Sequence, residues 1–370
     1  MSRDAHVPKF AITGGPCGGK STGIPFVAEK LSNAGYKPFI VDEAATLLIK
    51  SGMSPALFSN HDFQGHVIDL GLMLEDSMLR VARTTTHPRP VLLCDRGTMD
   101  AKAYTPKHTF AALLKERDLS IVHLRDRRYD AVFHLRSAAV GAEAFYTQAN
   151  NVARREGLAE ARAVDEATLN AWIGHPHLEI IENEYYGAQI TFEQKLIALT
   201  KAIFRKLGIP EPLEIERKYL IDPASWDHLC TISERQEVEI DQFYVPPIAG
   251  YDETRFRKRT QHGESVYVET CKREVRPGVR VETEHFVTRQ EYELALQFRL
   301  PGSKLLRKRR ICFVHQSRYL EYDVFETGLH VLEVEIADEH ERPQLPGWLK
   351  VIADITNDPH YSNRALAGAK

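Results

Sequence analysis

Residues 14–22 read Gly-Gly-Pro-Cys-Gly-Gly-Lys-Ser-Thr, four glycines followed at once by a lysine and two hydroxyl side chains. Few backbones can use so many glycines in so short a run. Freed of Cβ atoms, the chain can turn its N–H groups inward as an anion nest, and a helix starting at the lysine adds a favourable dipole. The spacing fits GxxxxGK[ST], with a strand-like run at 9–13 before it and helical periodicity over 20–33 after it. Gly14, Gly15, Gly18 and Gly19 are then expected to wrap phosphates that Lys20 also reaches, with Thr22 completing the cradle. The Ser21 hydroxyl is placed to ligate Mg²⁺ or Mn²⁺.

The chain around this loop alternates apolar strand-like runs with helical ones. Strands are expected at 9–13, 38–41, 91–95, 129–135 and 177–181, and helices between them, notably at 20–33 and 63–83. Such alternation predicts an α/β domain with a mostly parallel sheet covered on both faces. Val91-Leu92-Leu93-Cys94-Asp95 is an apolar strand ending in an acid. Beside a phosphate loop, Asp95 reads as the carboxylate that holds Mg²⁺ through water, and Arg96 follows it as a phosphate contact. Glu43 ends the second strand on the ligand side of such a sheet. It serves either as a base toward an acceptor hydroxyl or as the cap of the next helix. Residues 150–156, continuing to Arg162 and Asp165, form a charged helical segment. In kinase-like P-loop proteins this place holds a lid, here with Arg154 and Arg155 as its arginines. Trp172 with Gly174-His175-Pro176-His177 reads as a turn packed by an aromatic rather than a metal site.

Gly208, Pro210 and Pro212 end the helix-like stretch at 192–206 and mark a boundary, giving domains at 1–207 and 208–370. Beyond it the texture changes to short period-2 runs rich in Val, Tyr, Arg and Glu, which predicts antiparallel β structure. Charge sits at alternate positions in Glu214/Glu216/Lys218, Arg255/Arg257/Arg259, Arg280/Glu282/Glu284, Lys308/Arg310, Glu321/Asp323 and Glu333/Glu335, with Lys272 on a strand between. One such strand is a solvated sheet face. So many together predict an α+β domain built on an antiparallel barrel or tunnel with an ionic lumen. Mixed carboxylates and bases suit a cation-bound polyanion, the acids holding the hard metal and the bases gripping phosphate oxygens. The net charge of −3 divides into +2 for residues 1–210 and −5 for 211–370, which excludes a long-range field for nucleic acid. No apolar run reaches membrane-spanning length, the N-terminus has no apolar leader, and the five cysteines form no CxxC pair. Together these predict a cytoplasmic protein without a transmembrane segment.

Residues 14–22, VDEAAT at 41–46, CDRGTMDAKAY at 94–104 and WIGHPH at 172–177 resemble the AAA_28 group of P-loop NTPases, similar in fold to nucleotide and ribosylnicotinamide kinases. The second domain resembles the CYTH family, the triphosphate tunnel metalloenzymes that include thiamine-triphosphatase-like proteins. The matching residues are Glu214 to Lys218, Gln242-Phe243-Tyr244, Arg255-Phe256-Arg257, Arg280 to Glu284, Lys308-Arg309-Arg310, Glu333-Val334-Glu335 and Tyr361-Ser362-Asn363. By that resemblance Glu214, Glu216, Glu333 and Glu335 bind metal, while Lys218, Arg255, Arg257, Lys272, Lys308 and Arg310 bind the triphosphate. Glu282, Glu284 and Asp323 are supporting or second-metal ligands. Glu214, Glu216 and Lys218 would carry the tunnel chemistry, and Asp95 and Glu43 that of the first domain. The run at 304–310 offers several bases for the expected slots.

The joined architecture resembles the TRPL translocation-defect family, whose members are regarded as trafficking factors that bind GTP and phosphoinositides. Three functions are therefore implied. The first is an enzyme with an ATP- or GTP-binding loop and a metal-dependent triphosphatase tunnel acting on a triphosphate-containing small molecule. The second is a regulatory factor binding nucleotide and a phosphoinositide headgroup without turnover. The third is a small-molecule or nucleoside kinase. No Asn-Lys-x-Asp base-reading tetrad is present, which leaves ATP and GTP both open.

Overall fold

A computed structural model describes residues 6–146, 157–185, 188–209, 213–214, 216–276, 279–316, 318–336 and 342–369. The side chains of Tyr185, Leu213, Glu214, Val275, Arg276, Val279 and Arg280 are outside that description. Arg154 and Arg155, with the rest of the expected lid at 150–156, lie outside the described residues. The chain packs as two compact units, Met1–Phe204 and Arg205–Lys370.

The first unit runs β1 (Lys9–Thr13), α1 (Lys20–Asn33), β2 (Lys37–Val41), α2 (Ala44–Lys50), α3 (Asn60–Thr84), β3 (Pro90–Asp95), α4 (Asp100–Ala103), α5 (Lys107–Glu116), β4 (Ala131–Leu135), α6 (Leu158–Trp172) and β5 (Leu178–Ile181). A two-stranded hairpin of β6 (Glu184–Tyr185) and β7 (Ala188–Gln189) leads into α7 (Phe192–Leu207). The sheet order is β2-β3-β1-β4-β5, with every neighbouring pair parallel. Every residue of β1 and β4 is buried, as a parallel sheet covered on both faces requires. Sequence order reverses at β1, which has β3 on one side and β4 on the other. Ligands of such sheets bind outside the carboxyl ends of the strands at this switch point. The glycine loop leaves β1 there, and Asp95 ends β3 opposite Ile12. At the far end Gly208 takes φ +73 and donates its N–H to Arg205 O at 3.2 Å, so a left-handed glycine closes α7.

The second unit runs β8 (Leu213–Glu214), β9 (Glu216–Ile221), α8 (Trp226–Cys230), β10 (Arg235–Val245), β11 (Glu253–Gln261), β12 (Glu264–Arg276), β13 (Val279–Val287), α9 (Arg289–Leu296), β14 (Leu306–His315), β15 (Arg318–Phe325), β16 (His330–Glu335), β17 (Val351–Asp354) and α10 (Asn363–Leu366). They form a ten-stranded sheet in the order β17-β9-β16-β15-β14-β10-β11-β12-β13-β8, antiparallel throughout. β8 and β9 are one residue apart in the chain, yet β8 pairs with β13 and β9 with β16. The two ends of the sheet therefore meet on one stretch of chain, and the strands close into a ring with β17 as an outer edge.

Directly paired residues share a face, so the register separates lumen from exterior. Outside, α9 lays Tyr292 over Phe243 and Phe256. It is started by a capping box in which Thr288 and Glu291 satisfy each other's N–H groups. A second exterior cluster joins Ile311, Phe313, Leu320, Tyr322, Leu332 and Val334 to Leu229 of α8. Inside, one end of the lumen is apolar: Leu220, Val331, Phe325, Leu306 and Tyr244 pack with Ile355, Leu366, Ala367 and Ala369. The C-terminal segment thus plugs the barrel at that end, and the charged positions lie beyond the plug.

Candidate functional sites

The loop between β1 and α1 is shaped by its glycines at three points. Gly14 and Gly19 take φ +142 and +96, and Cys17 is also left-handed at φ +55. A Cβ at Gly14 would overlap the carbonyl of Leu135, and one at Gly18 would lie 2.7 Å from the same oxygen. The loop is thus pressed against the end of β4, and side chains would push it off. Lys20 folds back over the loop, donating to Gly14 O at 3.1 Å. Burial and the nearby Arg96 guanidinium pull its pKa down to about 8, against the carboxylates of Asp95, Glu43 and Asp100. Ser21 and Thr22 stand exposed on the first turn of α1.

Asp95, Arg96 and Glu43 gather beside Lys20. Arg96 takes a left-handed φ of +68 directly after β3. Its Nε donates to Glu43 Oε1 at 2.7 Å, and one terminal nitrogen to Asp100 Oδ2 at 3.0 Å. Glu43 occupies the N-cap position of α2 but makes no capping hydrogen bond; it accepts instead from Arg96 and, at 2.7 Å, from Thr46 Oγ1. Burial disfavours its charged form, yet Arg96 and Lys20 hold its pKa below the ordinary value. Asp95 is displaced the other way: burial raises its pKa, Glu43 and Asp100 add to this, and Lys20 and Arg96 oppose it. Asp95 Oδ1 is buried and has no hydrogen-bond partner among the described residues. A buried carboxylate oxygen without a partner is the donor type that suits a hard divalent cation, while Glu43 and Asp100 are both engaged by Arg96 and do not join Asp95 in a ready-made cluster.

Two further carboxylates, Asp100 and Asp165, support this site from below the loop, a role that no motif in the sequence marks. Asp100 accepts from Thr13 Oγ1 at 2.8 Å and from Trp172 Nε1 at 2.6 Å, joining β1 to the aromatic of α6. Asp165, placed by sequence in a lid, lies fully buried beneath the loop. Its Oδ1 accepts the N–H groups of Gly15 and Ser137, each at 2.9 Å, and lies 3.2 Å from His134 Nε2. Its Oδ2 accepts from Arg136 at 3.0 Å. Burial would raise its pKa, but His134, Arg136 and the Ser137 N–H hold it far below the usual carboxylate range. Arg162, from the same segment, donates to Ala139 O at 2.6 Å and Glu143 Oε1 at 2.7 Å. In the Trp172 turn, His175 lies 3.0 Å from Tyr129 O, and burial pulls its pKa down to about 3.

In the second unit the register brings the alternating charges to the lumen. Arg255, Arg257, Arg259, Lys272, Lys308 and Arg310 are all buried. Two ionic groups form. In one, Lys218 Nζ bridges Glu216 at 3.0 Å and Glu333 at 2.9 Å, while Lys308 and Arg310 reach Asp323 at 2.5 and 2.7 Å. Arg310 also contacts Glu333 and Glu321. Burial would raise the pKa of Glu333, but Lys218, Lys308 and Arg310 hold it well below the ordinary value. In the other group Lys272 meets Glu282 at 2.6 Å, Arg255 meets Glu282 at 3.3 Å, and Arg257 meets Glu284 at 2.7 Å. Glu335 is exposed and pairs with Lys206 at 3.3 Å. The side chain of Glu214 is outside the described residues.

Strand register also sorts the basic run before β15. Lys308 and Arg310 point inward, whereas Arg307 is exposed and Arg309 stacks on Trp226 at 4.5 Å. Arg257 is crowded by other cations: burial lowers its pKa, and Arg255, Arg259 and Arg310 add to this against Glu284. Its Nε makes no hydrogen bond among the described residues, and neither does that of Arg255. Glu321 Oε1 is likewise buried without a partner. Arg259 and Glu321 extend the lumen beyond the residues singled out by family pattern; the period-2 alternation was the signal that contained them. Among the described residues no three His, Cys, Asp or Glu side chains assemble as a metal cluster.

No curated protein matches the chain. Among solved structures it is similar to the hypothetical protein NE1496, at 26% identity over 42% of this chain and 97% of that one, with a TM-score of 0.29. A second structure, of the inorganic triphosphatase NE1496, gives 26% identity over 42% and 93%, with a TM-score of 0.29. PH1819 from Pyrococcus horikoshii OT3 gives 18% identity over 34% and 80%, with a TM-score of 0.28. Residues 9–185 match the family model AAA_28, an AAA domain, so this stretch of the first unit is similar to the P-loop domains of that family.

Proposed function

We propose that the chain is a phosphate-handling enzyme with two centres, an ATP- or GTP-binding loop in the first unit and a metal-dependent triphosphatase in the barrel. One observation carries the barrel reading: Arg257 is buried among Arg255, Arg259 and Arg310 and, among the described residues, pairs with a single carboxylate, Glu284. Such crowding is unfavourable until an anion enters, and a polyphosphate is the anion that reaches several bases at once. The plug at one end leaves the other as the entrance, so the terminal phosphates of a triphosphate enter first. Lys218, Lys308 and Arg310 then exchange carboxylate partners for phosphate oxygens, which frees Glu216 and Glu333 to face the ligand. Those two carboxylates already converge on one cation, the Lys218 ammonium, and with Glu214 and Glu335 they are the residues that would hold Mg²⁺ or Mn²⁺. Glu282, Glu284 and Asp323 keep the bases aligned. The metal would supply charge neutralisation as water attacks the terminal phosphorus and a P–O–P bridge breaks, with pyrophosphate or a diphosphate ester leaving.

The test is phosphate release from tripolyphosphate and from nucleoside triphosphates, with and without Mg²⁺ or Mn²⁺. Glu216→Gln is expected to lower metal-dependent release by at least about tenfold. Unchanged release in that variant removes the barrel as the active centre. Tight binding of a phosphoinositide headgroup with no release under either metal would favour a binding module instead.

In the first unit Lys20 would grip the β- and γ-phosphates, with Ser21 and Asp95 on the cation and Arg96 released from Glu43 toward the ligand. Lys20 titrates at about 8 before ligand arrives, whereas phosphate binds its charged form. Nucleotide affinity should therefore be level below that pH and fall above it, by up to about tenfold per pH unit. Isothermal titration at several pH values reads this directly. Lys20→Arg, which keeps its charge, should bind without the decline; a decline of equal size in both proteins assigns it to another group.

A further inference from the structure

We propose that the Phe192 ring is the platform on which the base of a nucleoside triphosphate stacks, a step that rests on the phosphate-loop reading above and names what lies outside the loop. Phe192 opens α7 and stays 49% exposed, although its ring packs against Gly19, the last glycine before Lys20. A Cβ at Gly19 would come within 2.6 Å of Phe192 Cε2 and 3.1 Å of Cζ, so the loop and the ring are in direct contact. The ring is also held in place. Thr191 and Gln194 satisfy each other across the start of α7, Gln194 N–H donating to Thr191 Oγ1 at 3.2 Å and Thr191 N–H to Gln194 Oε1 at 2.8 Å. One turn further on, Leu196 and Leu199 lie against Gly23 of α1, which fixes α7 along the helix that carries Lys20.

Ser21 and Thr22 are exposed on the first turn of α1, and Gly19 directly before them touches the ring, so the open side of the loop lies next to Phe192. Whatever the phosphates are attached to then emerges beside Phe192. A half-exposed aromatic ring in that position suits a flat heteroaromatic group, since stacking buries apolar surface and tolerates any base. The ligand class is therefore a nucleoside triphosphate with weak discrimination between bases. That agrees with the lack of an Asn-Lys-x-Asp tetrad and distinguishes this centre from the barrel, whose bases recognise phosphate alone.

The experiment uses the full-length chain and two substitutions, with Lys20→Ala marking which part of the binding belongs to the loop. Phe192→Leu keeps apolar cover over Gly19. It is expected to weaken the Lys20-dependent binding of ATP and of GTP by about tenfold each while leaving tripolyphosphate binding unchanged. Phe192→Trp should show indole emission quenched by saturating ATP but not by tripolyphosphate, relative to wild type. Wild-type ATP affinity in Phe192→Leu overturns the proposal, as does equal weakening of ATP and tripolyphosphate, which would make the ring a mere support of the loop. If Lys20→Ala binds ATP as wild type does, the phosphate-loop reading itself falls and the platform with it.

Discussion

Arg257→Ala is expected to lower kcat/KM for a triphosphate by about 10²–10³-fold, with kcat falling as well, and to leave thermal stability equal to or above that of wild type. The combination follows from what surrounds the guanidinium. Arg257 is buried, three other arginines act on it, and one carboxylate at 2.7 Å opposes them. An arginine does not discharge by losing its proton, so the repulsion persists in the folded protein until an anion compensates it. Removing the group relieves that repulsion in the free protein and forfeits the compensation in the complex. The loss should be largest where phosphate charge grows toward the transition state. Arg257→Lys keeps the charge but not the planar fork and should recover only part of the rate. Initial rates of phosphate release against substrate concentration, with a thermal melt of each variant, separate the cases. A variant that melts well below wild type and hydrolyses at a similar rate would make Arg257 a structural cation and remove the anion from the centre of the lumen.

Much of this lumen was legible because period 2 reports a local property, the direction of each side chain from its own strand. Arg255, Arg257, Lys308, Arg310 and Glu333 needed only that alternation to be placed on one face. The loop was legible for a similar reason, since Gly14 and Gly19 need the left-handed φ values that glycine adopts freely. What alternation could not reach was pairing. Whether Glu282 answers Lys272, or Glu333 answers Lys218, depends on register and on the ring closing through β8 and β9. The same gap hid Asp165. By sequence it falls in a charged helical segment that reads as a lid. Its partners come from the glycine loop (Gly15), from β4 (His134) and from the turn after β4 (Arg136 and Ser137), and lie up to 150 residues away. From sequence Glu43 reads as either base or cap; its contacts with Arg96 and Thr46 are side chain to side chain, and the helix N-terminus goes without it.

Asp165 therefore carries the second large effect, and it falls on the first unit. Asp165→Ala should destabilise that unit by about 3–5 kcal/mol, the range for breaking a buried ion pair from one side. The mechanism is specific: Arg136 loses a carboxylate in a buried setting, and the N–H groups of Gly15 and Ser137 lose their acceptor together. Because Gly15 belongs to the phosphate nest, nucleotide affinity should fall with stability. Asp165→Asn keeps an acceptor oxygen but no charge, and it should lie between the two. The pH dependence separates charge from shape. The folded carboxyl titrates below its ordinary value of 3.8, so its contribution is complete above that value and is lost as pH falls through the lowered one. Wild type should lose stability on acidification below about pH 4, while Asp165→Asn, with no proton to gain there, should lose less. Urea unfolding of the full chain at neutral and acid pH, following the transition that ATP shifts to higher denaturant, measures both. Equal midpoints for wild type and Asp165→Asn at neutral pH, with unchanged ATP affinity, would show that shape alone supports the loop and that the buried charge contributes nothing to it.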